Sequence, residues 1–149
     1  MTVRVARAMA GTMLLKTGLV SLLLLAGACS YSTGIRPLHP LELATSLYSE
    51  TVTEAPTGSL MYEHGCLLFR DDESAALMLP IWPDGSIFNG TSVIFHQPAK
   101  AEQPIVLGQE FVMEGQAVPW QAISAENYAP FHHQCGAKPF FVSKVRPAD

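Results

Sequence analysis

The chain has 149 residues, 48% of them hydrophobic and 15% charged, and thirteen acidic residues outnumber nine basic ones for a formal charge of −4. This length suffices for one domain with one hydrophobic core. Binding to nucleic acid or to anionic lipid headgroups requires clustered Lys and Arg. The sequence contains no basic run, so we exclude a nucleic-acid-binding role.

The N-terminal region has the pattern of an export signal. Arg4, Arg7 and Lys16 are basic, and the first acidic residue is Glu42. Residues 17–28 form an uncharged run of twelve residues that ends in small side chains. A positive start, a short apolar stretch and small residues before a break are typical of a secretory signal. Twelve helical residues span roughly 18 Å, which is less than the about 30 Å of a bilayer's hydrocarbon core.

The end of this run is Leu25-Ala26-Gly27-Ala28-Cys29, with a cysteine directly after small residues. The motif resembles the lipobox of bacterial lipoproteins, although Ala26 stands where that family usually has Leu. The resemblance implies that the thiol of Cys29 receives a diacylglycerol and that a peptidase then cuts before it. Residues 1–28 would therefore be a lipoprotein signal peptide, and the lipid would anchor the protein in a membrane.

Some alternatives stay open in this region. An ordinary signal cleavage after Ala28 would leave Cys29 as a free thiol, and translation could begin at Met1, Met9 or Met13. Ser30 is not the Asp that is associated with inner-membrane retention in such lipoproteins, so the resemblance favours the outer membrane, facing the periplasm. Cleavage before Cys29 leaves six of the nine basic residues against all thirteen acidic ones, a formal charge of −7.

Residues 29–57 have the composition of a lipidated tether. Residues 30–37 are small and polar and are interrupted by Gly and Pro, as in a spacer. Residues 40–50 carry apolar side chains at near-helical spacing, and Pro40 suits the first position of a helix. We predict one short helix within 40–50.

From residue 58 onward, short apolar runs alternate with turn residues, which is typical of a mainly β fold. The predicted strands are 60–64, 66–70, 75–82, 87–88, 92–96, 105–114 in two pieces around Gly108, and 140–145. The predicted turns and loops are 71–74, 83–86, 89–90, 98–104 and 115–116. Residues 117–130 are predicted to form a short helix or an irregular loop. We therefore expect residues 58–149 to fold as a small barrel or sandwich of about six to eight short strands.

After Cys29 the chain contains two further cysteines, Cys66 and Cys135. An exported protein enters an oxidising compartment, so we predict that these two form a disulfide. Their separation of 69 residues gives a chain-entropy stabilisation of roughly 4 kcal/mol. The bond would connect an early strand to the C-terminal segment.

The β region also resembles a group of uncharacterised bacterial envelope proteins. The shared positions are Gly65-Cys66-Leu67, the segment 79–85 with Trp82-Pro83-Asp84-Gly85, Gly108, and the late Cys135. The resemblance implies a compact β-domain and the same disulfide. It brings no activity with it.

The sequence contains one candidate metal cluster. His64 lies two residues from Cys66, and His132 and His133 lie just before Cys135. Imidazole and thiolate are the ligands that zinc and copper(I) prefer. The competing interpretation is that the cysteines are oxidised and the histidines are solvated, since neither spacing is a recognised ligand motif. We favour this second interpretation and expect no metal and no cofactor.

Catalytic candidates can be named, but they do not form a motif. His96, Asp84, Ser124 and Cys66 carry suitable groups, yet none lies in a Gly-x-Ser-x-Gly or other nucleophile context. We expect no enzymatic activity. The function predicted from sequence is a lipid-anchored envelope protein with a non-catalytic binding or structural domain, whose partner is another envelope protein or a small ligand. A metal-binding protein and a small envelope hydrolase are the alternatives.

Overall fold

The computed structural model describes residues 34–123 and 125–149. The predicted signal peptide, Cys29 and Ser124 lie outside these residues. Among those described, no helix has the length and hydropathy needed to cross a bilayer. The strands are β1 (Thr45–Ser46), β2 (Thr57–Glu63), β3 (Cys66–Asp71), β4 (Leu77–Pro83), β5 (Ile87–Phe88), β6 (Ser92–Phe95), β7 (Gln103–Val106), β8 (Glu110–Ala117) and β9 (Lys138–Pro147). A 3-10 helix (Trp120–Ala122) and helix α1 (Ala125–Cys135) lie between β8 and β9.

Five strands pair in a closed ring. β2 pairs antiparallel with β3 and β8, β3 pairs with β4, and β8 pairs with β9. β9 then pairs parallel with β4 and closes the ring. β1 pairs parallel with the end of β4, while β5, β6 and β7 form a separate antiparallel sheet. The predicted mainly β class is confirmed, and the two-residue strands β1 and β5 bring the number of strands described to nine.

The inside of the ring is filled by the apolar side chains that alternate along its strands, as the period of two requires. The three-stranded sheet adds side chains to the same core. The largest members are fully or almost fully buried: Leu60, Phe69, Trp82, Phe95, Phe111, Met113 and Phe140. Neighbouring aromatic side chains pack edge to face. For example, the aromatic ring centres of Phe69 and Phe111 lie 5.3 Å apart.

The outside of the ring carries a second apolar cluster. Helix α1 and the residues before β2 (34–56, called the N-terminal segment) cover it. It contains Ala44, Cys66, Leu68, Leu79, Ile81 and Phe131. Helix α1 has Glu126 in its first turn, where a negative charge suits the helix dipole, and it ends at Cys135. Gly136 follows with φ 63°, and its N–H donates to the carbonyl of His132 at 3.2 Å, which ends the helix in a left-handed cap.

The predicted helix within 40–50 is wrong. Leu41 has φ 64°, which a right-handed helix does not allow, and Thr45–Ser46 form β1 instead. The N–H of Trp82 donates to the carbonyl of buried Ala44 at 2.8 Å, so pairing with β4 outweighs the helical spacing. Residues 44–46, which lie in the predicted tether, therefore pair with the β-domain.

The turn predicted at Gly115-Gln116 is also wrong, because β8 continues through both residues to Ala117. The glycine is needed for a close approach of two strands. A Cβ on Gly115 would lie 1.9 Å from the carbonyl oxygen of Phe141. The register of β8 with β9 shifts between Glu114 and Gly115, where the strand pair bulges. The predicted short helix in 117–130 exists, but it extends to Cys135.

Candidate functional site

A disulfide holds α1 against the ring. Cys66 is the first residue of β3 and Cys135 is the last residue of α1, and their Cα atoms lie 5.7 Å apart. The neighbouring side chain of Gln134 adds hydrogen bonds at the same end of the helix. Its amide nitrogen donates to the carbonyl of His64 at 2.9 Å, and its oxygen accepts from the N–H of Leu38 at 3.4 Å. The end of α1 is thus joined both to the β2–β3 hairpin and to the N-terminal segment.

Away from the disulfide, α1 borders a cleft of about 820 Å³. One wall is the N-terminal segment and the opposite wall is α1, through Asn127, Tyr128 and Phe131. Gln116 and Phe141, from β8 and β9, lie between the two walls. The volume falls in the range of about 300–1,000 Å³ that is typical of ligand sites.

The N-terminal wall of the cleft is an extended chain. Every odd-numbered residue from Leu43 to Thr51 lines the cleft, whereas of the even-numbered residues between them only Ser46 does. This alternation has the period of a β-strand. Tyr48 is turned elsewhere, and its hydroxyl accepts a hydrogen bond from the side-chain amide of Gln97 at 3.1 Å. The wall therefore presents one side of an extended segment to the cleft.

Tyr128 connects the two walls. Its hydroxyl donates to the carbonyl of Thr45 at 2.7 Å. Burial raises the pKa of Tyr128, and the negative charge of Asp84 raises it further. The carboxylate of Asp84 is therefore close enough to act on the phenol electrostatically. Asp84 itself is exposed and lines the cleft.

The charges along the cleft have one sign. Glu42 and Asp84 line it, and none of the Lys, Arg or His residues that the structure describes does so. Glu42 is already paired, because both guanidinium nitrogens of Arg36 donate to its carboxylate and the N–H of His39 adds a third bond at 2.9 Å. The hydrogen bonds from Arg36 are the main cause that lowers the pKa of Glu42 to about 2. Asp84 has no such partner among the described side chains.

A second, smaller cavity of about 430 Å³ lies beside the other side of α1 and is lined mainly by apolar side chains. Trp120 lies here, and its indole N–H donates to the carbonyl of Ala137 at 3.0 Å. The ring of His132 stacks on the indole with centres 4.3 Å apart. His132 is therefore occupied in packing against Trp120.

The structure does not assemble the candidate metal cluster. His64 lies exposed in the turn between β2 and β3, His133 is exposed on α1, and both cysteines are in the disulfide. Within 34–123 and 125–149, no three His, Cys, Asp or Glu side chains come together in a way that could hold a metal ion. The alternative metal-binding interpretation has no support in this geometry.

Of the residues named for a hydrolase, the structure describes Cys66, Asp84 and His96. Cys66 has no free thiol, and Ser124 lies outside the described residues. The ring of His96 lies next to Gly85, one residue from Asp84. The nearby hydroxyl of Ser86 accepts a hydrogen bond from the backbone N–H of His96 at 3.1 Å. This bond therefore involves the backbone of His96 and not its imidazole ring.

Comparisons with protein-family models, with curated proteins and with solved structures found no match. Sequence reasoning missed the N-terminal wall of the cleft, which the helical spacing of 40–50 concealed. The available signal was the i, i+3 aromatic pair Tyr128 and Phe131, which puts two large side chains on one face of the helix.

Proposed function

We propose that this chain is a lipid-anchored protein of the bacterial envelope, and that its β-domain binds a partner without transforming it. Cys29 would carry the lipid, and the domain would face the periplasm, most simply from the outer membrane. The partner, another envelope protein or a small ligand, would bind in the cleft between α1 and residues 43–51.

The proposed location rests on the leader and on the disulfide. The lipobox resemblance at residues 25–29 supports lipidation of Cys29. The bond between Cys66 and Cys135 supports an oxidising compartment, because structural disulfides persist there and are rare in the cytosol. Two or three acyl chains would hold the protein firmly, whereas one chain would hold it only marginally.

The observation that carries the proposed binding role is the cleft itself. It has the volume of a ligand site, an aromatic contribution from Tyr128, Phe131 and Phe141, and polar groups on both walls. In the described part of the chain, no three His, Cys, Asp or Glu side chains are placed to hold a metal ion, and the sulfur of Cys66 is used in the disulfide. Binding is thus the function that this geometry supports best.

The anchor is tested by growing bacteria that express the full chain with an alkyne analogue of palmitate. We expect the wild-type protein to become labelled and to fractionate with membranes. Cys29→Ser should lose the label and leave the membrane fraction, while Ser30→Ala should keep both properties. Labelling of Cys29→Ser at the wild-type level would overturn the proposed anchor.

The binding site is tested by photocrosslinking in living cells with a photoreactive amino acid placed at single positions of the full chain. Leu47 is 84% exposed beside the cleft, and Ile87 is 62% exposed on the three-stranded sheet, so the two positions are matched exposed aliphatic residues. We expect light-dependent adducts at Leu47 and none at Ile87. Adducts only at Ile87, or at neither position, would contradict binding at the cleft.

A further inference from the structure

The wall of the cleft contains a length of backbone that no other strand uses. Residues 47–52 make no backbone–backbone hydrogen bond with the rest of the described chain. The first such bonds beyond them are from the N–H groups of Thr53 and Glu54 to the carbonyl of Gly115. Two hydroxyls contact this stretch, since Ser46 donates to the carbonyl of Leu47 and Ser143 donates to the carbonyl of Thr51. The N–H of Thr51 bonds to the hydroxyl of Ser49.

The free edge of β1 faces the same cleft. The carbonyls of Ala44 and Ser46 accept from β4, so the backbone groups of Thr45 and Leu47 point to the opposite side. The carbonyl of Thr45 has this orientation, since it accepts a hydrogen bond from the hydroxyl of Tyr128 on the α1 wall of the cleft. β1 stands at the end of the sheet order and has no second neighbour. Such an edge is a template for an added strand.

The charge of the cleft indicates which side chain such a strand would carry. Asp84 lies in the turn after β4, on the lining of the cleft, and no cation among the described residues pairs with it. None of the described Lys, Arg and His residues lines the cleft, and Arg36, which contacts the lining residue Glu42, is already paired with that carboxylate. A ligand with a lysine or arginine would therefore meet a carboxylate that has no competing partner.

We propose that the cleft binds an extended peptide segment of a partner protein, which adds as a strand beside residues 47–50 and places a basic side chain against Asp84. Backbone hydrogen bonds to the free edge would supply sequence-independent affinity. The ion pair with Asp84 would supply selectivity, and Phe131 and Phe141 would contact an apolar neighbour of the basic residue.

This proposal rests on the proposed binding role of the cleft and specifies its ligand. The two can fail separately, because crosslinking at Leu47 detects any partner, whereas the peptide experiment detects only a basic strand. Adducts at Leu47 without peptide binding would leave the cleft as a binding site and remove the basic-strand proposal alone.

The test uses the full chain, purified from membranes in detergent, and fluorescein-labelled peptides measured by anisotropy. The probe is Ser-Val-Lys-Val-Ser with blocked ends, and its partner in the comparison is Ser-Val-Glu-Val-Ser. We expect saturable binding of the lysine peptide and about tenfold weaker binding of the glutamate peptide, since a carboxylate beside Asp84 is repelled. Equal binding of the two peptides, or binding of neither, would overturn the proposal.

Two further ligands test the strand pairing. The lysine peptide is N-methylated either on both valines or on Lys and the last Ser, so that each version loses two backbone donors on one edge of the strand. We expect about tenfold weaker binding of the version that is methylated on the pairing edge. Blocked lysine alone, N-acetyl-lysine amide, should not compete at the concentration at which the peptide saturates. Unchanged binding of both methylated peptides, or full competition by blocked lysine, would show a site for a small cation and contradict strand addition.

The role of Asp84 is tested by Asp84→Asn, which keeps a residue that suits the turn and so preserves the fold. We expect about fivefold weaker binding of the lysine peptide, as for a partly exposed ion pair. The matched control is Asp72→Asn, which removes one exposed carboxylate from a turn outside the cleft and should leave binding unchanged. Equal effects of the two variants would overturn the assignment to Asp84.

Discussion

The inner and outer faces of the strand ring are both apolar, but they are covered in different ways. Phe140 and Phe141 are adjacent on β9 and so point to opposite faces. Phe140 is fully buried inside the ring, where other strands surround it. Phe141 is half-buried under α1 and the N-terminal segment, at the cleft. The strands themselves cover the inner face, whereas α1 and the N-terminal segment cover the outer face.

This difference indicates that the inner face mainly stabilises the fold, whereas the outer face offers a binding site. The inner core is built from strands whose neighbours are fixed by hydrogen bonds, so it supplies most of the stability. On the outer face, α1 is held by the Cys66–Cys135 disulfide, the hydroxyl of Tyr128 and the side-chain amide of Gln134. Helix α1 and the N-terminal segment leave part of this face open as the cleft. Local openings of low stability are where binding sites are commonly found.

The largest expected effect separates the two adjacent phenylalanines. Phe140→Ala should lower the free energy of unfolding by about 3–5 kcal/mol, because it leaves a cavity in a closed core. Phe141→Ala should cost about 1–2 kcal/mol, because the side chain is only half-buried and solvent can fill the space. Urea unfolding of the full chain measures both. Equal losses would mean that the outer face is as closed as the inner one.

The disulfide should matter almost as much, and only on the outer face. Replacing both Cys66 and Cys135 by Ser should lower the free energy of unfolding by about 2–4 kcal/mol. We also expect faster amide exchange in α1 while β8 remains protected, which hydrogen exchange with mass spectrometry can resolve. Loss of protection in β8 to the same extent would contradict the separation of the two faces.

A smaller effect is expected from the hydrogen bond across the cleft. Tyr128→Phe removes the donor to the carbonyl of Thr45 and should cost about 1 kcal/mol. The control is Tyr62→Phe, since the hydroxyl of Tyr62 only accepts a long bond of 3.4 Å from Leu41. Thermal unfolding of the two variants gives the comparison. A larger loss from Tyr62→Phe would mean that Tyr128 does not hold the walls together.

The smallest effect concerns the ion pair at the edge of the cleft. The folded protein lowers the pKa of Glu42 from 4.5 to about 2, so folding favours its ionised form. The stabilisation is present above pH 4.5 and is lost as the pH falls towards 2. Glu42→Gln should therefore cost about 0.5–1 kcal/mol at neutral pH and nothing near pH 2. A constant cost across this range, or the same cost from exposed Glu63→Gln, would contradict the pairing with Arg36.

The sequence predicted most of the strands in both sheets, because they are bounded by residues with a strong local signal. The turn at residues 83–86 formed as predicted, with the N–H of Ser86 donating to the carbonyl of Pro83 at 3.1 Å. The hairpin at Asn89-Gly90 also formed, with Gly90 at φ 97°. Gly108 separates β7 from β8 as expected. In each case the turn chemistry is local, so neighbouring residues suffice to predict it.

The cleft could not be predicted in the same way, because its walls meet through contacts between distant residues. Leu43 and Tyr128 lie far apart in sequence, and the spacing of residues 40–50 suggested a helix. The parallel pairing of β1 with β4 depends on a strand that the local pattern does not contain. Gly115 was misinterpreted for the same reason, since only the approach of Phe141 explains it. The opposite directions of Phe140 and Phe141 were predictable, but what covers Phe141 was not.

The most direct test of the account is hydrogen exchange of residues 43–51 in the full chain, measured with and without the peptide Ser-Val-Lys-Val-Ser. Because residues 47–50 have no backbone partner, we expect their amides to exchange rapidly in the free protein and to become protected when the peptide is bound. Slow exchange already in the free protein would contradict an unused backbone edge. Protection that appears instead in β5, β6 or β7 would place binding at the three-stranded sheet.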